Sequence, residues 1–140
     1  VFEVDEPNGM YSPALHAIAL WQPAGFPDRW MLVILYHEIG HWQQDVTGII
    51  HELESVEREW DADVRGARLG CAAGLTIDDV LDLHAWAYEA SGRHRSASHG
   101  SFNERALNVI RRAGSYCRST EAPWLDSTTS ITARDGVSRS

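Results

Sequence analysis

The sequence predicts an α+β fold that is mostly helical, with a small sheet near the N-terminus and four main helices. Three observations carry that reading. Apolar residues recur at helical spacing in four segments, three of them opened by a capping residue or a capping box. Strand-like alternation is confined to the N-terminal part of the chain. Finally, the pentapeptide His37-Glu38-Ile39-Gly40-His41 (HEIGH) has the HExxH spacing, which on a helix puts two imidazoles on one face a turn apart.

Composition sets the outer limits. A chain of 140 residues is of single-domain size, and its 44% hydrophobic share with six Trp suits a folded domain with a real core. That domain is expected over residues 1–118, followed by a tail at 119–140. No apolar run is long enough to cross a bilayer, so the chain reads as soluble as it stands, and a monomer is expected. It begins with Val1 rather than Met, as a processed form or a fragment of a longer protein would, and its compartment stays open. The net charge of −8 excludes a general nucleic-acid binder, which needs a basic surface. All twelve basic residues are Arg; six of them lie between Arg93 and Arg118 with Glu104 as the only acid there, so this stretch either faces the acidic middle of the chain or is solvated on its own side. Cys71 and Cys117 are either one disulfide or two buried thiols.

Val1 to Val4 alternates apolar and acidic and reads as a short strand, ended by the turn signal Pro7-Asn8-Gly9. Ala14 to Leu20 reads as a second strand, buried on both faces or at a sheet edge, where an extended peptide could add its own backbone hydrogen bonds. Pro23, Gly25 and Pro27 then break the chain. Asp28 is the expected N-cap of a helix running to about Val46 and stopped by Gly48. At 100° per residue, Leu32, Leu35, Ile39 and Trp42 fall opposite the His37/His41 face and Val33 and Ile34 beside it, so this helix is expected to be buried nearly all round.

A second helix is expected from about His51 to Gly70, with Leu53, Val56, Trp60, Val64 and Ala67 as its stripe. Projection separates its acids: Glu54, Glu57 and Asp61 read as solvated, whereas Glu52, Glu59 and Asp63 share a face with Ser55, Ala62 and Gly66. Small residues permit close helix approach, and Gly40 lies on the histidine side of the first helix. Thr76 with Asp79 caps a third helix to about Ala90, with Ile77, Val80, Leu81, His84 and Tyr88 inward. Ser91 to Gly100 is a polar loop. Ser101-x-x-Glu104 is a capping box opening a fourth helix, with Phe102, Ala106, Val109, Ile110 and Ala113 inward. In the tail only Trp124 and Leu125 could dock.

The chemistry gathers on the first two helices. His37 and His41 have the spacing of two zinc ligands, and Glu38, rotated roughly 100° from His37, can reach a metal-bound water. A chance HExxH arises about 0.02 times per chain of this composition, so a third ligand has to be found. Glu59, eighteen positions after His41, is that acid, and Asp63 one turn later can accept the second ring N–H of a ligand histidine. Two inward imidazoles beside a carboxylate would be costly to bury without a compensating ion. His99, just before the fourth helix, is a candidate donor to the oxyanion of a tetrahedral intermediate.

HEIGHWQQ (His37 to Gln44), EWDAD (Glu59 to Asp63) and SHGSFNER (Ser98 to Arg105), in that order, resemble the metal helix, the ExxxD helix and the late (S/T)HG segment of the neutral zinc metallopeptidase family. The first two are also similar to those of minimal gluzincins. The likeness runs from about Tyr11 to Cys117. It implies a zincin-like α+β core with a reduced sheet, Zn2+ held by His37, His41 and Glu59, Glu38 as general base, Asp63 supporting a ligand, and a peptide or protein substrate. Two departures stand out: Val64 occupies a position where members often carry Cys, and the region upstream of the metal helix is short. The expectation is a single-domain zinc metallopeptidase; the alternative is a zinc-stabilised binding or regulatory module that no longer cleaves. A helical domain with a chance motif is disfavoured by the placement of Glu59 and Asp63.

Overall fold

A computed structural model describes residues 6–90 and 102–117. Its elements run β1 (Asn8–Ser12), β2 (Ala17–Trp21), α1 (Asp28–Val46), α2 (Ser55–Ala72), α3 (Ile77–Ala90) and α4 (Phe102–Ala113), with 3-10 turns at Ile49–His51 and Gly114–Tyr116. The two strands pair antiparallel, from Asn8 opposite Trp21 to Ser12 opposite Ala17, and form a two-stranded sheet. The described part of the chain is thus mostly helical with one small sheet. The first proposed strand, Val1 to Val4, the polar loop from Ser91 with its His99, the capping residue Ser101 and the tail after Cys117 all lie outside the described residues, as do the side chains of Tyr88 and Phe102.

Asn8 and Gly9 begin a strand instead of ending one. A Cβ built on Gly9 would stand 2.6 Å from Ile34 Cγ2 and 3.1 Å from Glu38 Cγ, so the glycine serves close approach of β1 to α1 and not a turn. The Tyr11 hydroxyl donates to the Asp45 carboxylate and pins the other end of β1 to the same helix. The chain reverses through Pro13 to His16, where His16 takes a positive φ of 50°, so β2 starts at Ala17, later than Ala14. Most of β2 is exposed, as an edge strand of so small a sheet must be.

Helix α1 covers Asp28 to Val46 as expected, but Asp28 is its first residue and Pro27 occupies the cap position. The Asp28 carboxylate accepts from Gln22 Nε2 at 2.7 Å and does not cap the helix. At the far end Gly48 takes φ 82°, a left-handed conformation open to glycine at little cost, and the helix stops. The expectation that α1 is covered all round is corrected: Leu32 and Trp42 are each about two-fifths exposed. β1, α2 and α3 pack around its other sides. Two strands are too narrow a sheet to reach round to that outer face.

Helix α2 starts later than expected, at Ser55, with Leu53 left before it; Glu54 and Glu57 close a reciprocal capping box at its N-terminus. It crosses α1 where both lack side chains. A Cβ on Gly40 would lie 2.7 Å from the Ala62 carbonyl oxygen, and one on Gly66 would lie 2.8 Å from the backbone nitrogen of His37. Substitution at either position would force the helices apart. The core under this crossing is Val33, Val64, Ala67, Val80, Leu83, Val109 and Ala113, flanked by an aromatic group of Phe26, Trp30 and Trp86. Ile110, expected inward, is exposed, because the α4 face that meets α2 is carried by Ala106, Val109 and Ala113. The Cys71–Cys117 disulfide ties the end of α2 to the chain after α4, closing a separation of 46 residues. A loop of that length stabilises the fold by about 4 kcal/mol on the chain-entropy account.

Candidate metal centre

Three ligand-type side chains converge between α1 and α2. One atom each from His37, His41 and Glu59 lies within 4.8 Å of the others. His37 Nε2 is 3.0 Å and His41 Nε2 is 3.3 Å from Glu59 Oε1. Two ligand atoms on a tetrahedral zinc, with bonds near 2.1 Å, are separated by roughly 3.4 Å. The His41-to-carboxylate distance is close to an edge of such a site, and the His37-to-carboxylate distance is shorter by about 0.4 Å. His37, His41 and Glu59 side chains are each only 11 to 16% exposed, so the group is sheltered yet reachable.

Each ring is held through its other nitrogen, and this decides which atom faces Glu59. His37 Nδ1 lies 2.8 Å from Asp63 Oδ1, to which it donates. Asp63 in turn accepts two bonds from Arg105, Nε to Oδ2 at 2.9 Å and an Nη to Oδ1 at 2.7 Å. On the other side, Gln44 Nε2 donates to the Arg58 carbonyl at 2.8 Å and to Asp61 Oδ2 at 2.9 Å. Both its hydrogens are thereby spent. Gln44 Oε1 is left facing His41 Nδ1 at 3.0 Å, which must carry a proton, so in the neutral ring Nε2 presents its lone pair to the centre.

The same distances would be hydrogen bonds if both rings were doubly protonated. That alternative needs two imidazolium ions packed edge to face with centroids 4.8 Å apart, whereas one divalent cation would replace both extra protons. The electrostatics show the strength of the anionic environment. Burial of the His37 ring opposes its charge, but hydrogen bonds to Asp63 and Glu59 and the nearby charges of Asp63 and Glu38 outweigh it and raise its pKa from 6.5 to about 10. Burial alone would raise the Asp63 pKa, yet the Arg105 charge and the bonds from His37 and Arg105 hold it far below the ordinary carboxylate range. Asp63 is consequently an anion at any working pH, fixed between two donors.

No family model, curated protein or solved structure matches this chain. What the centre can do follows from its donors and their supports.

Glu38, adjacent to His37 in sequence, stands apart from the ligand group. Its Oε2 is 4.0 Å from His37 Nε2, beyond hydrogen-bond range, and its side chain is about one-tenth exposed. β1 passes beside it at Gly9. Two imidazole nitrogens and one carboxylate, with a further carboxylate beside them, are a donor set that could hold a metal ion.

Of the residues singled out in the sequence, His37, Glu38, His41, Glu59 and Asp63 are brought together, and His99 lies outside the described residues. Asp61, expected to be solvated, instead accepts from Gln44 and from Arg65 Nε at 2.6 Å. Gln44 and Arg105 carry no assigned role in the sequence, although HEIGHWQQ and SHGSFNER contain them. For Gln44 there is a usable signal, since it lies three positions after His41 on the same helical face. For Arg105 there is none in local spacing, because its partner is 42 residues away.

Proposed function

We propose that this chain is a zinc-dependent metallopeptidase with a zincin-like core. The observation that carries the reading is the convergence of His37 Nε2, His41 Nε2 and the Glu59 carboxylate, with both histidine Nδ1 atoms already engaged by Asp63 and Gln44. Nitrogen and oxygen donors in this number suit zinc better than magnesium or calcium, which prefer all-oxygen sites. When bound, zinc supplies a Lewis acid that lowers the pKa of water to about 7 and polarises a carbonyl.

The side chains divide the remaining work. His37, His41 and Glu59 hold the ion, while Asp63 and Gln44 keep the two rings turned toward it. Glu38 accepts a proton from water as its oxygen attacks the scissile carbonyl carbon. It then gives that proton to the departing amide nitrogen; the C–N bond breaks and a carboxylic acid and an amine result. The substrate on this reading is a peptide or unfolded protein segment.

Glu38→Gln tests the division. It should leave about one zinc per chain and lower peptide hydrolysis by about 100-fold or more, the usual worth of a general base. Loss of zinc together with activity would make Glu38 a ligand instead. Full zinc occupancy in the unaltered protein with no hydrolysis of any unfolded substrate would favour the non-cleaving zinc-stabilised module.

A further inference from the structure

The two carboxylates that flank Ala62 on α2 serve different neighbours. Ala62 is where α2 touches Gly40 of α1, and on one side of it Asp63 holds the His37 ring. On the other side Asp61 faces Gln44, and the proposed reaction gives it no task. Asp61 Oδ2 accepts from Gln44 Nε2 at 2.9 Å and from Arg65 Nε at 2.6 Å, and its Oδ1 lies 3.8 Å from an Nη of Arg112 on α4. Gln44 is fully buried, so the direction of its amide is set by these neighbours and not by water.

We propose that Asp61 is a positioning residue of the metal centre: acting through the Gln44 amide, it holds the His41 ring with Nε2 turned to the ligand group. The inference deepens the zinc reading and rests on it for the identity of the ion. A primary amide held by one hydrogen bond, here from Nε2 to the Arg58 carbonyl at 2.8 Å, can still swing about that bond. The second bond, to Asp61, fixes the plane of the amide and so fixes Oε1 at 3.0 Å from His41 Nδ1. A half-turn of the amide would set Oε1 against the Arg58 carbonyl and the Asp61 carboxylate, two groups that only accept. It would also point the amide hydrogens at His41 Nδ1, which favours the tautomer whose Nε2 carries the proton and has no lone pair for a metal. A carboxylate is a stronger acceptor than a peptide carbonyl, and Arg65, with Arg112 beyond it, keeps this one in place. Asp61 is not in the ligand group, so its effect on the centre is confined to His41.

The ring N–H signals of the two histidines test this without any activity measurement. In zinc-loaded protein the Nδ1 protons of His37 and His41 are followed separately by proton–nitrogen NMR, and their exchange with water is measured. Asp61→Ala should speed exchange of the His41 proton several-fold, leave that of His37 unchanged and weaken zinc binding about tenfold in chelator competition. Asp61→Asn should restore both, because Gln44 and Arg65 donate to the same oxygen and select the Asn oxygen for that place. A purely structural role for Asp61 would loosen both rings together, so equal acceleration of the two protons overturns the proposal. An Asp61→Ala protein with His41 exchange and zinc affinity unchanged overturns it, as does an Asp61→Asn protein as impaired as Asp61→Ala. Should Asp61→Ala not fold, Arg65→Met, which removes one hold on the carboxylate, is the milder form of the test. It should speed exchange at His41 alone, and no selective change there overturns the proposal. The same contrast measured on zinc-free protein keeps the two readings apart. Unaltered protein that binds no zinc but shows the contrast sustains the role of Asp61 in holding His41 and refutes the metal centre; one zinc per chain with no contrast refutes the role of Asp61 and leaves the metal centre standing.

Discussion

His37 and His41 stand one turn apart on α1 and offer the same atom to the same centre, but their supports differ in kind. His37 is held by a buried carboxylate that is itself clamped by Arg105, and His41 by a neutral amide with both hydrogens spent elsewhere. An ionic support gives a strong, charge-coupled anchor that is costly to break. An amide support orients its ring through hydrogen-bond geometry. One helix therefore carries one imidazole supported by the charges of α2 and α4 and another supported by a neutral amide.

The largest effect should come from breaking the ionic side. Asp63→Ala leaves the Arg105 guanidinium without its carboxylate and should cost about 3–5 kcal/mol in denaturant unfolding, as removal of one partner of a buried pair does. Zinc affinity, measured by chelator competition, should fall about 10–100-fold. Gln44→Ala should be milder, about 1–3 kcal/mol for the bonds left unmade to the Arg58 carbonyl and the His41 ring. If Gln44→Ala proved the more damaging of the two, the distinction between the supports would be wrong.

Much of this contrast is invisible in sequence. The bounds of α1 at Val46 and Gly48, and the choice of Glu59 and Asp63 among crowded acids, were legible because helical periodicity is local and Gly40, Ala62 and Gly66 mark where the helices touch. The Asp63–Arg105 clamp was not, since its partners meet only once α4 has packed on α2. Pro7-Asn8-Gly9 has the composition of a turn, yet Gly9 is small because Ile34 and Glu38 lie against it. The open outer face of α1 was equally hidden: periodicity says that Leu32 and Trp42 share a side, not that the sheet is too narrow to cover it. The zinc, the peptidase activity and the role of His99 are expectations of the sequence that rest for their test on experiment.

The pH dependence sharpens the comparison further. His37 has its folded pKa raised to about 10, so in the metal-free protein its contribution to stability is complete below about pH 6.5 and is lost as pH rises through 10. Asp63 has its folded pKa depressed, so its contribution is present above the ordinary carboxylate pKa and fades only as pH falls well below it. The melting temperature of metal-free protein should therefore decline between pH 6.5 and 10. Added zinc competes with the proton on His37 Nε2, so its stabilising increment should grow over the same interval. A zinc increment that shrinks with rising pH would contradict ligation by that nitrogen. The smallest of these effects is expected from Arg65→Met, which removes one partly exposed partner of Asp61 and should change stability by about 1 kcal/mol or less.

Metal content tests the central claim most directly. Protein purified without added zinc, then equilibrated with zinc and freed of excess, should hold about one ion per chain by elemental analysis. Glu38→Gln should hold the same amount, and His41→Ala, checked for its fold by circular dichroism, should hold almost none. Folded His41→Ala protein that still binds one zinc per chain, or unaltered protein that binds none, would contradict the assignment of His37, His41 and Glu59 as a metal centre.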